Sequence, residues 1–83
     1  MTPAHKVKIT YCAECGYEPQ TLALAKALML EFGARLSCIE LIPWDGGTFE
    51  VSVDGQLIHS MKTNGGFGDS AAIKDAVRTR LTA

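Results

Sequence analysis

Val7-Lys8-Ile9-Thr10-Tyr11-Cys12-Ala13-Glu14-Cys15 decides the fold. Its first five residues alternate apolar and polar, the pattern of a half-buried β-strand. Two cysteines follow at C-x-x-C spacing. Pro19 then suits the first turn of a helix. Beyond it, Leu22, Ala25, Met29 and Phe32 recur at helical spacing, with Leu24 and Leu28 widening the apolar face. Gly33 is the expected stop. A strand, a cysteine pair and a helix thus come in immediate succession.

The pattern continues downstream. Residues 36–42 read as a second, mostly buried strand, and residues 43–47, Pro-Trp-Asp-Gly-Gly, as a loop. Phe49, Val51 and Val53 alternate with Glu50 and Ser52, giving a third strand. Asp54-Gly55 is a strong hairpin signal of type I′, and residues 56–61 form the fourth strand. Residues 62–68 read as a flexible loop. Asp69 or Ser70 caps a last helix, whose buried side is Ile73, Ala76, Val77 and Leu81. The order is β-α-β-β-β-α. A parallel crossover followed by an antiparallel hairpin gives an α/β fold, a mixed four-stranded sheet with two helices. Which face each helix covers is left open. Residues 1–83 are read as one domain, as the length suggests.

Composition excludes several function classes. Hydrophobic residues make up 47% and charged residues 20%, which fits a folded globule rather than a disordered chain. A net charge of −1 and a pI near 6.0 offer no basic field for a phosphate backbone, so no nucleic-acid partner is expected. No apolar run approaches the roughly 20 residues of a membrane-spanning helix, so no membrane partner is expected. The polar start of the chain lacks an apolar leader, which points to a cytoplasmic location. There, cysteines seldom form permanent disulfides, and three cysteines are in any case an odd number for a stapled scaffold.

Strand direction gathers the chemistry at one end. The first, second and fourth strands run the same way, so the cysteine loop, residues 43–47 and residues 62–68 converge. The hairpin turn lies at the other end. C-x-x-C directly after a strand and before a helix is the redox arrangement. A nearby helix N-terminus favours thiolate, while Glu14 opposes it. Zinc sites use the same spacing but need two more ligands. Cys38, His5 and His59 are the candidates, and none is paired at ligand spacing. Cys38 is read as a small buried hydrophobe within the second strand. Trp44, Gly66 and Phe67 are read as an apolar binding rim beside the cysteines, against the alternative that the aromatics fold inward. His59 is read as structural or surface, and Lys62 as solvating. No phosphate-loop pattern surrounds Gly65-Gly66, and nothing calls for a cofactor.

Taken together, these stretches resemble the selenoprotein W-like proteins, the Rdx family. The matching segments are Ile9-Thr10-Tyr11-Cys12-Ala13-Glu14-Cys15-Gly16-Tyr17 and Gly47-Thr48-Phe49-Glu50-Val51-Ser52-Val53-Asp54-Gly55-Gln56-Leu57-Ile58-His59-Ser60. Gly65-Gly66-Phe67-Gly68-Asp69 resembles the family's loop before the last helix. The resemblance implies a thioredoxin-like fold and a redox role for Cys12 and Cys15. Thioredoxin analogy favours Cys12 as the attacking residue, whereas the place of Cys15 nearer the helix start, and the selenocysteine that animal relatives carry at the matching position, favour Cys15, so both stay open. Many bacterial relatives carry proline where Gly68 stands. Near Gly47-Thr48, thioredoxins proper carry a cis-proline. The expected function is thiol–disulfide exchange with a protein partner, with glutathione or a thioredoxin system as candidate electron donors. One alternative is a non-enzymatic, redox-sensitive binding module on the same fold, and a second is a zinc-binding protein.

Overall fold

A computed structural model of the chain describes residues 5–82, with side chains through Leu81. The first four residues, part of the polar start noted above, lie outside the described residues. The strands are β1 (Lys6–Cys12), β2 (Cys38–Trp44), β3 (Phe49–Val53) and β4 (Gln56–Ser60). The helices are α1 (Glu18–Phe32), the single turn α2 (Met61–Asn64) and α3 (Ser70–Thr82). The sheet order is β2-β1-β3-β4, with β1 parallel to β2 and antiparallel to β3. The expected mixed sheet and strand directions are therefore present.

Helices α1 and α3 lie on one face. Leu24, Leu28 and Phe32 of α1 and Ile73 and Val77 of α3 share one buried cluster with Val7, Ile9, Phe49, Val51 and Val53. Glu31 of α1 holds Lys74 at 3.8 Å and Arg78 at 3.0 Å, joining the helices along their flanks. The other face, carrying Lys8, Thr10, Ile42 and Glu50, is left bare.

The buried side of α1 differs from the expected one. Thr21, Leu24, Ala25, Leu28 and Phe32 are buried, whereas Leu22 and Met29 are 58% and 62% exposed. The helix is apolar nearly all round, so spacing alone does not select the face. Thr21 enters the interior because its Oγ1 donates to the Tyr17 carbonyl at 2.9 Å, satisfying the hydroxyl locally. Gly33 does end α1, at φ +48°, and its N–H donates to Met29. Asp69 caps α3, accepting from the Ala71 N–H at 3.2 Å.

Three further boundaries shift. β2 begins at Cys38 and runs through Pro43 and Trp44. It is an edge strand and mostly exposed, not buried. Cys38 is correspondingly exposed, so its reading as a buried hydrophobe is corrected. Burial needs neighbours on both sides, and β2 has only β1. Pro43 is tolerated because an edge strand need not donate on its outer side. β4 ends at Ser60, and residues 61–64 close into the turn α2, held by the Asn64 Oδ1 accepting from the Ser60 N–H at 2.9 Å.

At the far end of the sheet, Asp54 and Gly55 take φ of +52° and +83°, as a type I′ turn requires. Asp54 accepts from the Lys6 N–H and from the His5 ring, both at 2.8 Å. These bonds tie the turn to the start of β1. They hold the Asp54 carboxyl below its ordinary value, the His5 bond contributing most.

Candidate functional site

β1 delivers Cys12 to the end of the sheet, and the chain then turns through residues 13–17 into α1. The turn is closed by backbone bonds from Gly16 N–H to Ala13 and from Tyr17 N–H to Cys12, at 3.2 and 3.3 Å. Glycine is favoured here, since Gly16 sits at φ +76°. The result brings Cys12 and Cys15 together in a disulfide, their Cα atoms 5.3 Å apart.

The two sulfurs are not equivalent. Cys12 is completely buried, and Cys15 is exposed. The Cys15 N–H points at the Cys12 Sγ, 3.2 Å away. That amide is placed to donate to the buried sulfur. Of the two, only Cys15 is open to solvent. Accessibility thus distinguishes the two sulfurs.

Trp44 and Phe67 flank this loop from opposite faces of the sheet. Trp44 is the register partner of Cys12, and the Ala13 N–H donates to its carbonyl at 2.9 Å. Its side chain is 61% exposed. It borders a shallow hollow on the bare face with Lys8, Thr10, Ile42, Thr48, Glu50 and Lys62. Phe67 lies on the helix-covered side. Its half-buried ring meets Tyr17 at 4.8 Å and Phe49 at 5.0 Å, both edge-to-face. Gly66 is exposed, and its carbonyl is bonded to the His59 ring.

Sequence reasoning left two participants out. Tyr17 joins the cysteine loop to α1, its carbonyl accepting from the Thr21 N–H at 3.0 Å as well as from the hydroxyl. Only its place directly after C-x-x-C-Gly could have drawn attention to it. The bare-face hollow is the other. The alternation of Lys8-Ile9-Thr10 and Phe49-Glu50-Val51 marked its polar residues, but not that both helices sit opposite. Cys38 starts β2 and pairs with Lys6, at the end of the sheet away from Cys12. Among the described residues, no three of His, Cys, Asp and Glu cluster as metal ligands would. None of the described helices is long and apolar enough to cross a membrane.

Residues 6–79 match the Rdx family. Selenoprotein W of Ovis aries is 42% identical over 80 residues, covering 86% of this chain and 92% of that protein. Selenoprotein W of Danio rerio is 36% identical, with 92% and 90% covered. Among solved structures, the selenoprotein W-related protein from Vibrio cholerae superposes with a TM-score of 0.90 at 28% identity, covering 93% of this chain and 96% of that one. A Bordetella parapertussis protein superposes at 0.89 with 29% identity, covering 92% and 96%.

Proposed function

The chain belongs to the Rdx family, and we propose that it is a thiol–disulfide redox protein that exchanges disulfides with, or reduces, a protein partner. The observation carrying this reading is the asymmetry of the Cys12–Cys15 pair, one sulfur exposed and its partner buried under an amide. In the reduced form, the Cys15 thiolate attacks one sulfur of a partner disulfide. A Cys15–partner bond forms, and the other partner sulfur leaves as thiolate and takes up a proton. The Cys12 thiolate then attacks the Cys15 sulfur and releases the second partner thiol. Two electrons pass to the partner, and the protein is left as the Cys12–Cys15 disulfide. A dithiol donor, or two glutathione molecules, restores it by the reverse exchange. The selenocysteine of animal relatives at the position matching Cys15 agrees with this order of attack.

The partner docks on Trp44 from the bare face and on Gly66 and Phe67 from the other side. Such a protein works in a reducing cytoplasm, where a donor is at hand. A reductant-dependent turnover assay on a protein disulfide tests the reading. Cys12→Ser and Cys15→Ser should each abolish turnover. A partner that binds both variants as well as the parent, with no turnover by the parent, would instead mark a redox-sensitive binding module.

A further inference from the structure

We infer that His59 is a positioning residue for the cysteine loop, acting from β4 through residues 65–68 and the Phe67–Tyr17 ring pair. The inference rests on the redox reading for its consequence, but its geometry stands apart from it.

The first observation is a bulge. A two-residue turn at Asp54-Gly55 sets Val53 opposite Gln56 and Ser52 opposite Leu57. Regular pairing would continue with Val51 opposite Ile58, which would turn His59 to the bare face. Instead Val51 pairs with His59, and Ile58 is the extra residue. One inserted residue reverses the side of everything after it. Val51 is fully buried on the helix-covered side, and the bulge brings His59 to that side, 7% exposed.

The second observation is what the ring does there. A buried imidazole is costly unless hydrogen-bonded. His59 Nε2 donates to the carbonyl of Gly66 at 3.0 Å, reaching a loop and not a strand. Its ring also meets the edge of Phe49, 6.1 Å between centroids. Gly68 lies flat against the same ring. A Cβ there would stand 2.7 Å from the imidazole Cε1 and 3.1 Å from Nδ1. Gly68 also takes φ +77°, a path closed to proline, whose ring fixes φ near −65°. The loop is therefore moulded on His59 at two points.

Phe67 lies between those two points. With Gly66 and Gly68 held, its ring rests on Tyr17 at 4.8 Å. Tyr17 in turn donates its N–H to the Cys12 carbonyl and ends the turn that carries Cys15. A simple core-filling residue at position 59 would supply the packing but not the bond that fixes the loop.

The test uses the full chain in a Cys38→Ala background, so that only the cysteine pair reports. His59→Leu removes the donor and keeps apolar bulk. His59→Gln keeps an N–H donor of similar reach. Two rates are read: alkylation of Cys15 in the reduced protein by iodoacetamide, and exchange with glutathione disulfide. His59→Leu should remain folded by circular dichroism, change the alkylation rate by severalfold and slow exchange by about tenfold, as small displacements of reacting groups do. His59→Gln should restore both rates to within about twofold of the parent. Gly68→Ala pushes a methyl into the ring from the loop side and should reproduce the His59→Leu effect, which keeps the test decisive if His59→Leu does not fold. Parent-like rates in folded His59→Leu or Gly68→Ala would overturn the inference. So would a Gln variant as impaired as Leu. A parent that never exchanges, while alkylation still follows the donor, would overturn the redox reading and leave the positioning role standing.

Discussion

Cys12 and Trp44 face each other across the parallel β1–β2 pair, bridged by the Ala13 N–H on the Trp44 carbonyl at 2.9 Å. Adjacent strands are about 4.8 Å apart, so the indole stems from the strand next to the disulfide. Disulfides quench nearby indoles. Trp44 is the only tryptophan, so its emission reports this site alone. Reduction should raise Trp44 emission. Trp44→Ala should slow exchange with a protein disulfide more than with glutathione disulfide, because a rim contact matters only to a large partner. Emission indifferent to redox state, with equal effects on both substrates, would remove Trp44 from the site.

The rotated face of α1 makes two leucines six residues apart behave differently. Leu28 is fully buried, and Leu22 is 58% exposed. Leu28→Ala should cost about 2–5 kcal/mol in urea unfolding through lost burial and the cavity left behind. Leu22→Ala should stay within about 0.5 kcal/mol. Comparable losses at both positions would contradict the observed packing.

Cys38 opens an exposed edge strand, remote from Cys12. In the native oxidised protein it should take up one iodoacetamide, read as a single mass increment. Cys38→Ala should change stability by no more than about 0.5 kcal/mol and leave Cys12–Cys15 cycling intact. A native protein that resists alkylation at Cys38 would show the edge to be covered.

The Asp54 carboxylate should make stability pH-dependent at the acid end. Its folded value lies below 3.8 because His5 and the Lys6 N–H donate to it. The unfolded chain therefore takes up the proton first as pH falls. The stabilisation is complete above 3.8 and is lost as pH drops through the lower folded value. Asp54→Asn keeps a residue that tolerates positive φ while removing the charge. The parent should be more stable than the variant at neutral pH, and the gap should close in strong acid. A gap unchanged by pH would mean that the charge contributes nothing.

Much of this architecture is legible in the residue order. The alternation in Val7-Lys8-Ile9-Thr10-Tyr11 and Phe49-Glu50-Val51-Ser52-Val53 marks half-buried strands, and Asp54-Gly55 dictates its own turn. Those signals are local, so they survive folding. What depends on distant packing is not legible. Residues 38–44 are apolar enough for a central strand, yet β1 and not β2 occupies the middle of the sheet. Leu22 and Leu24 are chemically identical, and only the position of the sheet buries one of them. The bulge at Ile58 reverses the alternation without any residue that announces it, which is why His59 read as an ordinary strand residue. At the site, C-x-x-C spacing locates the pair, but burial alone separates Cys12 from Cys15.

A trapping experiment tests that separation of the two sulfurs. In a Cys38→Ala background, reduced Cys12→Ser and Cys15→Ser proteins are each exposed to glutathione disulfide, and the mass is followed with time. Cys12→Ser should gain one glutathione rapidly, on Cys15, and keep it because no resolving thiol remains. Cys15→Ser should gain it slowly or not at all, since Cys12 is buried. Rapid labelling of Cys12 in the Cys15→Ser protein, with Cys15 inert in its counterpart, would make Cys12 the attacking residue and reverse the assignment.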